Sequence, residues 1–171
     1  LARDELEGTD VACDELEGGG DAVTEPSLNW LLAIPVLLPF LGAALALIFV
    51  RQRGLTGWIS VTTLTVVLAS AVAITLNAAD APLVLDVGGW AAPVGITLVA
   101  DRLSALMLVT SVFVTLCVLI YSLSQDVMES AKAPVTVYHP TFLVLSAGVS
   151  NAFLTGDLFN LYVGFEMLLV S

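Results

Sequence analysis

Glu166 is the residue in this chain best placed to do chemistry. It lies within Leu158 to Val170, a run otherwise free of charge, with Phe165 before it and Met167, Leu168 and Leu169 after it. A carboxylate at the centre of a membrane helix costs about 2.5–3.5 kcal/mol on insertion scales, so it survives beside water, a partner or other helices. At about 100° per residue, Phe159, Tyr162, Glu166, Leu169 and Val170 share one helical stripe. Tyr162, four residues before Glu166, can offer its hydroxyl to the carboxylate. Burial raises a carboxyl pKa and a nearby cation lowers it, so a buried Glu facing a movable Lys can load and release a proton near neutral pH. A structural role, in which Glu166 only bonds a neighbouring helix, is the competing reading.

The other polar residues carry weaker signals. Asp157, nine residues before Glu166, falls about 180° away on the same helix, so the two are not a carboxylate pair. A cap at the N-terminus of that helix suits Asp157 better than a proton entry point. Asn151 and Asn160 are candidates for bonds between helices. His139, before Pro140, reads as an interfacial residue. Asp101 with Ser104 three residues on suits a helix N-cap, and the adjacent Arg102 can snorkel. Two cysteines, Cys13 and Cys117, give neither metal-ligand spacing nor a disulfide framework. No metal or cofactor is expected.

The elements that must position Glu166 are membrane helices. Of 171 residues, 58% are hydrophobic and only 12% charged, against about 25% charged in a soluble domain. Trp30–Val50, 57–77, 103–124, 140–154 and a run from 158 to the end predict five spans, the first bent at Pro35 and Pro39. The Thr and Ser residues of the second span can bond their own helix backbone. Between the second and third spans, Leu83–Val87 and Ile96–Val99 flank a Gly and Pro cluster, which predicts a short β-hairpin outside the membrane. A polar connector is expected over 125–139. Ser146 and Ser150, and Gly148 and Ala152, are each four apart, a spacing that lets helices approach closely in a bilayer. The fold expected is all-α and polytopic, with that one extramembrane hairpin.

Residues 1–26 read as a disordered acidic tail ahead of a membrane domain over 27–171. Nine acids against Arg3 give the first 25 residues −8 of the total −11, leaving −3 for the rest. A repeated DELEG, three consecutive glycines and few large apolar residues cannot support a core. The tail lacks the basic start and apolar stretch of a signal peptide, and the acidity excludes nucleic acid as a partner. Arg51 and Arg53 between spans one and two, and Lys132 between three and four, put those loops in the cytoplasm by the positive-inside rule. The N-terminus, the hairpin and the Asp157 turn then face outward across the cell membrane. Leu1 is not methionine and Ser171 falls inside an apolar stretch, so the chain is expected to be part of something longer.

The segment Gly89-Trp90, Pro93, Gly95-Ile96 and Ala100-Asp101-Arg102-Leu103-Ser104-Ala105-Leu106, with Ala147-Gly148-Val149 and AFLTGDLFNLYVGFE (Ala152 to Glu166), resembles a known family. It is similar to the D-type membrane component of the Mrp-type multisubunit sodium/proton antiporters, a relative of the antiporter-like membrane subunits of respiratory complex I. The likeness runs from about Trp30 to Ser171. It implies a longer fold of about fourteen helices containing two inverted five-helix repeats. It also implies an essential proton-carrying glutamate on the fifth helix, matched by Glu166, and a lysine partner on a later helix. Other antiporter subunits, the lipid bilayer, protons and monovalent cations, sodium first, are the implied partners. The alternative is a proton-pumping subunit of a complex I-like oxidoreductase or membrane-bound hydrogenase, with the same relay driven by redox partners. Gly164 departs from the family pattern, which leads one to expect a bulky aromatic there; its smallness is expected to loosen packing.

Overall fold

The first helix begins where its prolines allow. A 3-10 turn over Trp30–Leu32 leads into α1 (Ile34–Ile48), and Pro35 sits in the opening turn, where a missing N–H leaves no bond unmade. Only Pro39 is inside the helix. The expected bend at Pro35 is therefore corrected: that proline starts the helix. The computed structural model describes residues 30–49, 52–78, 82–87, 95–128 and 138–171, with backbone alone at 53 and 125–128. The acidic tail, Arg51, Lys132 and the hairpin tip over 88–94 lie outside the described residues, and the side chain of Arg53 does too.

Beyond α1 come α2 (Arg53–Asn77), strands β1 (Leu83–Val87) and β2 (Ile96–Ala100), α3 (Arg102–Met128), α4 (Tyr138–Leu154) and α5 (Leu158–Val170). The two strands pair antiparallel in a register that sets Asp86 opposite Thr97. Helix α3 continues to Met128 and α4 opens at Tyr138, so the polar connector expected over 125–139 is helical at its edges. Among the described residues, two helical stretches are long and apolar enough to cross a membrane, Gly54–Asn77 and Arg102–Ser124. Ile34–Ile48 and Leu158–Val170 are apolar but shorter.

Helices α1 to α4 pack together, with α1 against α2 and α4, and α3 against α2 and α4; α5 rests on α4. One core cluster joins the strands to the helices through Leu32, Ile74, Leu83, Leu98, Leu108 and Leu154. A second holds Ala43, Ala46, Leu64, Leu119 and Leu143. Close approach comes from glycine: a Cβ on Gly42 would come within 2.7 Å of Thr63 Oγ1, and one on Gly57 within 2.7 Å of Leu123 Cδ2. The outer surface is apolar, with Trp58, Leu76, Leu103 and Tyr121 among its exposed large side chains. A bundle apolar both inside and out is suited to lipid.

The hydroxyls of α2 and α3 behave as expected for a dry environment. Thr62 and Thr65 donate to the carbonyls of Trp58 and Val61 at 2.8 Å, and Thr110 to that of Leu106 at 2.9 Å. These side chains are exposed, and their donors are used within their own helices.

Candidate functional site: the two faces of α5

Helix α5 starts at a tightly bonded corner. Asp157 is its N-cap, in extended conformation, and its Oδ1 accepts the Asn160 N–H at 2.6 Å. That bond satisfies one of the donors a helix start leaves over. The other carboxylate oxygen accepts the Thr97 N–H of β2 at 3.4 Å, and the Thr155 hydroxyl donates to the Asp157 carbonyl at 2.9 Å. The carboxylate of Asp157 is thus engaged in holding the helix start.

The inward face of α5 is then locked against α4. Asn151 and Asn160, both buried, exchange hydrogen bonds: Asn151 Nδ2 donates to Asn160 Oδ1 at 3.1 Å and to its carbonyl at 3.2 Å. Asn160 Nδ2 returns a bond to Asn151 Oδ1 at 3.3 Å. One turn on, buried Gly164 lies against α4 backbone, where a Cβ would meet Gly148 O and Ala152 N at 3.5 Å. Gly148 in turn receives Met167 and Leu168, whose side-chain atoms would stand 3.2 Å from a Cβ there. The expectation that Gly164 loosens packing is overturned, because its missing side chain lets the two helices close. An aromatic in this arrangement would have to occupy space now filled by the α4 backbone.

The outward face holds Glu166. Glu166 is about 200° round the helix from Gly164 and is exposed. Phe159, Tyr162, Leu169 and Val170 are 72%, 62%, 80% and 85% exposed, so the whole predicted stripe is open. Tyr162 lies one helical turn before Glu166, with its hydroxyl within electrostatic reach of the carboxylate. Among the described residues no cluster of three or more His, Cys, Asp or Glu could hold a metal ion.

Other predicted residues fall elsewhere. Asp101 Oδ1 accepts the Ser104 N–H at 2.6 Å while Ser104 Oγ accepts the Asp101 N–H at 3.0 Å, a reciprocal cap at the start of α3. These bonds hold the Asp101 carboxyl below its ordinary pKa. His139 is buried in the first turn of α4, its ring edge-on to Tyr138 at 5.6 Å. Sequence reasoning put Gly156 in a tight turn with Thr155 and Asp157 but missed Thr97, which that turn contacts. Thr97 uses both backbone groups on the α4–α5 turn, the carbonyl accepting the Gly156 N–H at 2.8 Å.

No family model matches the chain. Curated relatives do match it, among them two named "Putative antiporter subunit mnhD2". The one from Staphylococcus epidermidis is 39% identical over 145 residues, covering 82% of this chain and 28% of the relative. The one from Staphylococcus aureus is 37% identical over 149 residues, covering 84% and 28%. The chain therefore spans little more than a quarter of the length of these relatives. In fold it is similar to a chain of the Mrp complex from Dietzia sp. DQ12-45-1b, with a TM-score of 0.75, 30% identity and coverage of 85% of this chain and 26% of that one. A chain of the archaeal membrane-bound sulfane sulfur reductase shares the fold at a TM-score of 0.73 and 22% identity, over 81% of this chain and 28% of that one. In sequence this membrane chain is a homologue of proteins named as antiporter subunits, and in fold it is similar to a chain of an Mrp complex, over about a quarter of the length of each.

Proposed function

We propose that the protein is a subunit of a multisubunit monovalent cation/proton antiporter, and that Glu166 carries protons in exchange with a lysine supplied by a later part of the same polypeptide. The observation that carries this reading is the division of α5: one face is locked to α4 through Asn160 and Gly164, and the other presents a carboxylate among apolar side chains. A packing role would be served by the locked face. An acid on the open face costs several kcal/mol in lipid unless something functional covers it. Antiporter names among the relatives favour cation exchange over redox-driven pumping.

In this mechanism Glu166 holds the proton when its surroundings are dry and releases it when the lysine approaches, because a cation nearby stabilises the carboxylate. Tyr162 donates to the charged form, and Asp157 serves as helix cap. The β-hairpin, the N-terminus and the Asp157 turn lie on the extracytoplasmic side, as the placement of Arg51, Arg53 and Lys132 in the sequence argues. The remaining subunits of the complex and the lipid cover the open faces.

The test uses the full-length gene within its operon, in everted vesicles from antiporter-deficient cells, with an acid-sensitive dye following sodium addition. Sodium is expected to discharge an established proton gradient with no electron donor present, and Glu166→Gln to abolish that response in a normally assembled complex. A Glu166→Gln variant that matches wild type would make Glu166 structural. A wild type indifferent to sodium would move the reading to a redox-driven pump.

A further inference from the structure

The hairpin joins α2 to α3, yet its second strand also serves α5. Leu98 and Thr155 form an antiparallel bridge, Thr97 accepts from the Gly156 N–H at 2.8 Å, and its own N–H reaches Asp157 Oδ2 at 3.4 Å. The α4–α5 turn is thereby added to the free edge of β2. On the other edge, Thr97 Oγ1 donates to Asp86 Oδ1 of β1 at 2.9 Å, which ties the same residue back into the sheet. Gly156 makes the approach sterically possible: a Cβ there would stand 2.8 Å from Val99 Cγ2 and 3.1 Å from the Thr97 carbonyl oxygen.

Asp157 joins sheet and helix within one carboxylate, Oδ2 facing Thr97 and Oδ1 capping α5. From Asp157 to Glu166 is nine residues of continuous chain, about 13–14 Å at 1.5 Å per residue. A helix transmits rotation and translation over that distance with little loss. On the locked face the Asn151–Asn160 bonds already hold α5 to α4, and the clamp to β2 adds a second fixed point at the helix start.

We propose that the β1–β2 hairpin is a brace that sets the height and rotation of Glu166, with Thr97, Gly156 and Asp157 as positioning residues. The inference rests on the reading of Glu166 as a proton carrier. Misplacing a reacting group by about 1 Å can cost on the order of 10²-fold in rate, so displacing the turn from β2 has a kinetic signature beyond lost stability.

The experiment uses the same vesicles and the full-length protein. Gly156→Val is expected to assemble, to slow sodium-driven proton movement about tenfold or more, and to shift the pH of its half-maximal rate. Gly156→Ala is expected to do the same more mildly, and Val99→Ala added to it to restore much of the rate by removing the opposing methyl. Leu98→Cys with Thr155→Cys, in a chain whose Cys13 and Cys117 are serine, joins strand to turn at a bridge pair with disulfide-compatible spacing. Oxidised and reduced forms of that variant are expected to transport equally, since a brace stays closed throughout the cycle. Unchanged rate and pH profile in Gly156→Val would overturn the proposal, as would a crosslink that stops transport until reductant is added. Should Gly156→Val fail to assemble, the crosslink decides. Glu166→Gln separates the two ideas: if it transports normally, the proton-carrier reading falls and takes the brace with it; if it is inactive while Gly156→Val is normal, only the brace falls.

Discussion

The two faces of α5 are built to opposite rules. Toward α4, polar atoms are paired and packing is close, so that Asn160 meets Asn151, Gly164 meets backbone, and Met167 and Leu168 meet Gly148. Away from α4, the side chains are large, open and apolar except for Tyr162 and Glu166, one turn apart on the same stripe. The comparison teaches that polarity in this helix has two distinct uses. A neutral amide pair that satisfies itself stabilises an interface, whereas a carboxylate left facing outward from that interface has to find its counterpart elsewhere.

Substitutions can break either face separately. The largest structural effect is expected from Gly164→Phe, which forces a ring into the α4 backbone; overpacking of this kind costs about 3 kcal/mol at its upper end. Little complex should then survive mild heating in detergent. Asn151→Leu leaves Asn160 without its partner and is expected to cost about 1–2 kcal/mol. Asn151→Leu with Asn160→Leu should recover part of that loss, because neither helix then buries an orphaned amide. A double cycle of melting temperatures checks both statements.

A smaller effect belongs to the cap at Asp101. Its carboxyl is held below its ordinary pKa by the Ser104 bonds, so the charged cap contributes stability above the unfolded value of 3.8. That contribution fades as pH falls through the lower, folded value. Asn caps nearly as well but does not titrate. The melting difference between wild type and Asp101→Asn should accordingly be constant from neutral pH down to about 5 and shrink only in more acid solution. Thr65→Val stands at the bottom of the scale, within about 0.5 kcal/mol, because its hydroxyl bonds only the Val61 carbonyl of its own helix.

Much of this is legible in the residues alone. The two strands follow from β-branched and leucine runs around Gly and Pro, and the caps follow from an acid placed just ahead of an apolar run. The stripe through Glu166 needs only helical periodicity. Gly164 is not legible, because smallness alone does not say whether a helix gains a close neighbour or loses a contact; the partner backbone at Gly148 and Ala152 decides that. The burial of His139 is not legible either, because a histidine before a proline at the start of an apolar run gives no sign of what packs over it. The clamp between Thr97 and the α4–α5 turn leaves no trace in composition, since it joins Thr97 backbone groups to the Gly156 N–H and the Asp157 carboxylate about sixty residues away.

The division between the faces is tested most directly by sodium-driven proton movement divided by the amount of assembled complex, compared between Glu166→Gln and the Asn151→Leu, Asn160→Leu double variant. Glu166→Gln should leave the amount of complex near wild type and remove transport per complex. The double variant should lower the amount and keep transport per complex. The reverse pattern, with the carboxylate variant unstable but active and the amide variant stable but silent, would contradict the assignment of proton transfer to the open face.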